Sequence, residues 1–566
     1  MNDKKFLKAL ILLLIMPLSI IAQDMMTASG NVVDATGEPL IGCTVQQKGG
    51  QTGTVADLNG NFQLQVPKNA TLVFSFIGYK TQELKAATGM KVVMKDDSQV
   101  MEEVVVVGYG TMKRSDITGS VVSVKSEDMQ QTSASTMDQM LQGRAAGMQL
   151  TSNSGAAGGS TSIQIRGVNS LNSSNEPVYV IDGAIITSEA GSNVYSNPLA
   201  DLNPNDVESI EILKDASATA IYGAQAANGV IIVNMKKGFE GSTPKIGFKG
   251  QLGWDMLPNK LEVMNLQQFA EWAREANLQR STVKESDMFA NPETLGSGSD
   301  WQDALFRTGL RQEYNLSVRG GGKGVNYSLS GGYFSQEGIT INNDFHRITL
   351  RGSFDVKAYK WLDLGATFNI GQSDRNTGMA SWDVVPNALS DTPNNAVRNP
   401  DGSWAKSGYN GDTDTWQPNP VALAEITTRK NKITSSRTNV YFTLKPWNWL
   451  NWKNEATYDT NTDNYRYLLP EYQLGENGAT REYATHQTSK TYNLYWSLKS
   501  VATGNWKLKK VHKLSLMIGA EMNHRYRDYL YGQRLGGSNT NLALSGGDAS
   551  RDDNAGYTTT KRFSSL

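Results

Sequence analysis

From Lys245 onward, apolar side chains recur at every second position, segment after segment. Ile246, Phe248, Leu252 and Trp254 share one parity; so do Val325, Tyr327, Leu329 and Tyr333, opposite Asn326, Ser328 and Ser330. Ile348, Leu350, Phe354 and Val356 continue the pattern, followed by Leu362, Leu364, Phe368 and Ile370, then Val440, Phe442 and Leu444. Leu494, Trp496 and Leu498, then Leu514, Leu516 and Ile518, extend it toward the end. A period of two belongs to strands with one apolar face. Segments of roughly ten residues with an apolar and a small-polar face are the signature of transmembrane β-barrel strands. A soluble β-sandwich alternates too, so the pattern alone leaves both open.

Aromatic residues placed near strand ends, Trp254, Tyr333, Phe334, Trp361, Trp447, Trp449, Trp452 and Trp496, favour the barrel, where they form interfacial girdles. No helix-length apolar run follows the N-terminus, so a membrane reading requires a barrel. Residues 255–308 and 371–437 are long and polar and are expected as outward loops, the first carrying an amphipathic helix near residues 266–278. About nine or ten strand candidates lie between residues 245 and 566, against about 22 in a plugged barrel. The expectation is therefore an incomplete barrel, from a fragment of a longer product or a truncated gene, that does not work as a transporter alone.

The N-terminus reads as an export signal over residues 1–22. Lys4, Lys5 and Lys8 precede an apolar run, and Ala22 supplies a small residue for cleavage before Gln23. The run is too short to span a bilayer. Lysine plus arginine total 54 and aspartate plus glutamate 55, so the net charge of −1 offers no case for a nucleic-acid partner. Cys43 is the only cysteine, which excludes an internal disulfide.

Residues 27–95 alternate in short strands broken by turn residues, as in Phe62, Leu64 and Val66 after Asn59-Gly60. They describe a small, immunoglobulin-like β-sandwich. Residues 96–115 form a solvated linker around Glu103, Val104, Val105, Val106, Val107, Gly108, Tyr109 and Gly110. The branched valines favour an extended backbone and the glycines end it. Such a run is either a buried strand of a neighbouring domain or a segment that a partner's sheet edge recruits by β-augmentation. Residues 116–237 read as an α+β unit, with strands expected at 117–124, 148–151, 162–166, 178–181, 207–213 and 230–233. Helical turns are expected at 136–141 and after a capping Asp215.

Catalytic signatures are missing. The four histidines, His346, His486, His512 and His524, form no zinc-binding pair. Gly108-Tyr109-Gly110 lacks the third glycine of a dinucleotide loop because position 113 is Lys, and Gly322-Lys323 lacks the rest of a phosphate loop. No catalytic residue, metal site or cofactor is expected.

Gly37-Glu38-Pro39-Leu40, Gly53-Thr54 and Asp57-x-Asn59-Gly60-x-Phe62 resemble the carboxypeptidase-regulatory-like domain family, a module without an activity of its own. Leu141-Gln-Gly-Arg144-Ala-Ala-Gly147, Ile163-Gln-Ile-Arg166-Gly167, Pro177-Val-Tyr-Val-Ile-Asp182-Gly183 and Val207-Glu-Ser-Ile-Glu-Ile-Leu-Lys214 through Tyr222-Gly223 resemble the plug of a TonB-dependent outer-membrane transporter. More narrowly, they are similar to the SusC/RagA family. The resemblance implies a mainly β chain in which sandwich, plug and barrel serve energised import of an oligosaccharide or peptide across the outer membrane. It implies that Glu103 to Gly110 is a TonB box gripped by the TonB–ExbB–ExbD complex, and that a SusD-like surface lipoprotein acts as a lid. Arg166, Glu208, Glu211 and Lys214 are then candidates for plug–barrel contacts, or ordinary solvated charges. Asn169, Asn172, Asn175, Asn193 and Tyr195, on loops expected to face outward, are candidates for substrate contact. A surface adhesin built from β-sandwiches is the alternative.

Overall fold

Alternation becomes register in the computed structural model. It describes residues 25–565 apart from 35–36, 51, 77–78, 95–103, 108–109, 114–119, 131–135, 153–154, 160, 172–173, 187–198, 200–201, 240, 242, 280–289, 379–380, 407–417, 475–479, 509–511, 542 and 545–547. The export signal, residues 1–22, lies outside the described residues. The chain divides into two compact units, Met1–Val104 and Val105–Leu566.

The first unit is a sandwich. One sheet orders Asn61–Pro67, Met25–Val33 and Met90–Val93, and the other orders Gly53–Val55, Thr44–Gln47, Thr71–Ser75 and Gln82–Lys85. Phe62, Leu64 and Val66 are buried while Gln63 and Gln65 are exposed, and Phe62 meets Phe74 edge-on at 5.3 Å. The turn before them is held by Asp57, whose carboxylate accepts the backbone N–H groups of Asn59 and Asn61, each at 2.8 Å. Those two hydrogen bonds hold its pKa below the usual carboxylate value. At Gly30 the parallel partner strand approaches so closely that a Cβ would lie 2.2 Å from the Met90 carbonyl oxygen.

In the second unit, the plug sheet orders Val121–Lys125, Val207–Leu213, Val230–Met235, Val178–Ile181 and Ala184–Ile186. Val230–Met235 lies between neighbours and is buried on both faces. Ile210, Ile212, Ile231 and Val233 pack against Leu141 and Ile163 on one side; Val178, Val180, Val230 and Ile232 pack against Ala218 and Tyr222 on the other. This explains why the run is continuously apolar. Asp215 stands at the N-cap of Ala216–Thr219 but makes no side-chain cap there. Its carboxylate instead accepts the N–H of Ser120 and pairs with Arg166.

Beyond the plug, ten strands run as a single antiparallel meander, each bonded to its sequence neighbours: Lys245–Asp255, Gly309–Gly322, Val325–Glu337, Asp344–Tyr359, Leu362–Asn376, Thr428–Trp447, Leu450–Leu469, Thr485–Leu508, His512–Leu535 and Asp548–Ser565. Among the described residues the first and last strands do not pair, so the wall is open. Strands five and six reach into residues expected as loop, because Leu362–Asn376 stays in register with Thr428–Trp447 as far as Asn376 and Lys430. The wall inverts the burial of a soluble sheet. Ile246, Phe248 and Ile518 are 76%, 72% and 74% exposed, whereas Ser353, Arg351 and Lys499 on the opposite face are 1%, 2% and 8% exposed. An exposed apolar face over a buried polar one is what hydrocarbon outside and polar groups inside require.

One end of the wall turns tightly near residues 323, 360 and 448, the other through residues 256–308, 338–343, 377–427, 470–484 and 536–547. Tyr359 stacks on Trp361 at 5.5 Å, and Trp449 on Trp447 and Trp506 at 5.3 and 5.1 Å, all at the tight end. Phe334 and Trp496 depart from the expected girdle. Phe334 is buried on the plug-facing side beside Phe345, and Trp496 lies mid-strand against His524. The long connections carry helices Leu266–Gln279, Trp301–Leu305, Ser381–Ser390 and Pro420–Ile426, the last three sharing one apolar cluster.

Candidate functional site: the plug and its wall

The plug meets the wall's polar face through a seam of hydrogen bonds and ion pairs. Asp182 follows Val178–Ile181 with a positive φ of 48°, a conformation that turns its carboxylate out of the sheet. It accepts Arg351 Nη2 of the fourth wall strand at 3.0 Å, and Arg351 Nη1 donates to the Lys236 carbonyl at 2.8 Å. Asp206, buried beside them, has a carboxyl pushed upward by burial, which outweighs its hydrogen bond with Ser330 and the nearby Arg351. Lys499 Nζ donates to the Gly183 carbonyl at 2.6 Å. Asn205 is gripped by Glu313 and by Lys249 at 2.9 Å.

A second group of contacts lies toward the long loops. Ala157 N–H donates to Asn343 Oδ1 at 3.1 Å, and Arg375 donates to the Gly158 carbonyl. Gly158, with φ of 60°, lies flat on Phe345, whose ring would be 2.5 Å from an added Cβ. Below these contacts a cavity of about 630 Å³ separates plug and wall, lined by Asp182, Glu208, Lys237, Lys453, Glu455 and Lys499 among others.

The charges expected at this seam are distributed differently. Arg166 pairs with Asp215, and Lys214 Nζ donates to the Ala146 carbonyl at 2.9 Å; both stay within the plug. Glu211 is buried in the plug sheet and accepts Ser123 and Ser209 at 2.9 and 3.0 Å. Glu208 alone of the four lines the cavity at the wall. Arg351, Arg375 and Lys499 make the wall's side of these contacts, and each occupies the small-polar parity of an alternating strand.

The valine run is extended, and it is not isolated: Val104–Val107 pairs with Gly110–Lys113 in a two-stranded sheet. Glu103, Gly108 and Tyr109 lie outside the described residues, as do Asn172, Asn193 and Tyr195. Asn175 closes its own loop, accepting the N–H groups of Asn169 and Ser170 and donating to the Ser170 carbonyl. Asn169 also donates to Asn228 at 3.3 Å.

Comparison with known proteins agrees with this architecture. The TonB-dependent Receptor Plug Domain family model matches residues 113–230, and the CarboxypepD_reg-like domain model matches residues 28–106. TonB-dependent receptor SusC of Bacteroides thetaiotaomicron is 41% identical over 324 residues, covering 57% of this chain and 31% of that protein. TonB-dependent receptor P3 of Formosa agariphila is 33% identical over 453 residues, covering 78% and 42%. The RagAB peptide importer superposes in its open-open state with a TM-score of 0.69 at 24% identity, covering 82% of this chain and 53% of that one. Its closed-closed state gives 0.63 at 25% identity, covering 79% and 53%. The chain spans 31% to 42% of the length of these curated relatives. A plug seated on the polar face of an antiparallel wall defines a TonB-dependent receptor chain, a class of receptors and transporters rather than enzymes. Within that class, the two domain matches and the likeness to SusC and RagAB support a chain of SusC/RagA type.

Proposed function

We propose that this chain supplies the sandwich, plug and ten wall strands of an outer-membrane importer that takes up an oligosaccharide or peptide. In this reading residues 1–22 direct export, and the TonB–ExbB–ExbD complex pulls on the TonB box, Glu103 to Gly110. A SusD-like lipoprotein closes the outer mouth. The observation that carries the reading is the seam itself: Asp182, Asn205 and Gly158 are held to Arg351, Glu313 and Arg375 by polar contacts. Such a seal resists leakage yet yields to force, unlike an apolar core. The peptide named for RagAB and the resemblance to SusC support the two substrate classes.

Deleting residues 103–110 tests the proposal. Uptake of the nutrient should be lost while outer-membrane abundance and surface binding persist. Unchanged uptake would return the chain to a surface-binding role.

A further inference from the structure

On strands six to eight of the wall, the face that bears Phe442, Tyr458 and Leu498 carries no aspartate or glutamate. Its lysines and arginines are Lys430, Lys432, Arg466 and Lys490, all exposed and all gathered near the end of the strands that meets the long loops. Lys430 stands directly opposite Arg466, and in the adjoining row Asn464 lies between Lys432 and Lys490. None of the four makes a hydrogen bond or ion pair among the described residues. The two flanking strands add one carboxylate each to this face. Asp374, opposite Lys432, accepts Gln372 Nε2 at 3.0 Å, and Asp528 stands opposite Tyr492, one row closer to the tight end than Lys490.

Like charges set directly across two strands are destabilising, so the Lys430–Arg466 pair calls for an anion. The position of the group on the wall says which kind. From the cations toward the tight end, the same face passes through Tyr492, Trp496 and Tyr458 to Leu498, Val440 and Phe442. Lys490 lies about 7 Å beyond Tyr492 along its strand. Cationic, then aromatic, then aliphatic is the order in which a leaflet presents head groups, interface and chains. Long loops mark the outer side of such a wall, so the leaflet is the outer one.

We propose that Lys430, Lys432, Arg466 and Lys490 form a docking surface for the phosphate-bearing head group of an outer-leaflet glycolipid, its chains lying along Leu498, Val440 and Phe442. The inference rests on the outer-membrane placement proposed above and not on import. The cations span three strands, about 10 Å, which matches a head group with several anionic oxygens better than one free phosphate. Arg466 offers a planar fork and the lysines offer mobile point charges on long stems.

The test is native mass spectrometry of the detergent-extracted, lipid-stripped protein titrated with diphosphoryl lipid A or with phosphatidylethanolamine. Lipid A should bind about tenfold or more tighter, and added salt should weaken it. Lys430→Gln combined with Arg466→Gln should weaken lipid A by about tenfold or more. Lys323→Gln combined with Lys360→Gln, which removes the same charge at the tight end, should leave it unchanged. Equal binding of phosphatidylethanolamine, or an equal loss in both double variants, overturns the surface. So does displacement of lipid A by inorganic phosphate or by hexaglutamate at the same concentration, which would make the occupant a free anion or an acidic protein. If the first double variant does not fold, the ligand series on the unaltered protein decides. Loss of lipid A preference in a protein recovered from the outer membrane removes this inference alone; recovery of the native protein from another fraction removes the placement on which it rests.

Discussion

Arg351 of the wall and Asp182 of the plug are joined at 3.0 Å with the arginine 2% exposed, the most deeply buried charged pair described across the seam. Removing one partner leaves the other buried and uncompensated, at a cost of roughly 3–5 kcal/mol. Arg351→Met should therefore raise amide exchange throughout Val178–Ile181 and Val230–Met235 while leaving wall strands protected. Adding Asp182→Asn should cost less than its single effect predicts. Strict additivity would show that the two do not act as a pair.

Asp215 and Asp206, two plug carboxylates with shifted titration, give opposite slopes. Asp215 is held low by the Ser120 N–H and then Arg166, so its contribution to plug stability is full above the ordinary carboxylate pKa and is lost as pH falls through its depressed value. Asp206 is held high by burial, so plug docking weakens as pH rises from the ordinary carboxylate pKa through its raised one. Limited proteolysis of the plug across pH should show Asp215→Asn flattening the acid limb and Asp206→Asn flattening the limb above it. Swapped effects would contradict both assignments.

Leu329 sits midway along the third strand on the exposed apolar face. Arginine there should cost about 2–4 kcal/mol if hydrocarbon covers it. The expected readout is a reduced membrane-inserted fraction for Leu329→Arg; insertion as efficient as that of the unaltered chain would place this face in water.

Gly30→Ala drives a methyl group into the Met90 carbonyl. Overpacking of this kind costs about 1–3 kcal/mol, which for a unit of this size lowers Tm by roughly 5–20 °C. Calorimetry on the excised sandwich measures it, and an unchanged Tm would mean the two strands part without cost.

Val106→Pro fixes φ and removes the backbone N–H at the third position of the Val104–Val107 strand. Uptake should fall to the level of the residue 103–110 deletion with the protein still present in the outer membrane. Full uptake would mean that strand pairing here is irrelevant to energisation.

Much of this architecture was legible in the sequence because it rests on local rules. Phe248 and Ile518 declared the lipid-facing parity, and the helix expected near residues 266–278 is Leu266–Gln279. The choice of partners was not legible. Arg166 and Glu211 are seam candidates on the resemblance to a plug, yet the fold turns them toward Asp215 and toward Ser123 and Ser209. Asp215 has the residue type of a helix cap, but the Ser120 N–H and Arg166 compete for the same oxygens and win. Asn175, a candidate for substrate contact on the family resemblance, is consumed by its own loop, a use that short amide side chains in Ser/Asn-rich turns commonly find.

Val121–Lys125, the first described plug strand after the valine run, lies at the edge of the plug sheet and pairs only with Val207–Leu213 there. The last plug strand, Val230–Met235, runs through residues 236–244 directly into the wall. Tension applied at the valine run thus enters at a border held by a single ladder, while the opposite end of the plug is moored to the barrel. On the import reading proposed above, the mechanics are those of a hinged flap with a peelable margin: the margin gives way first, the mooring holds, and the flap can swing back when the load is released.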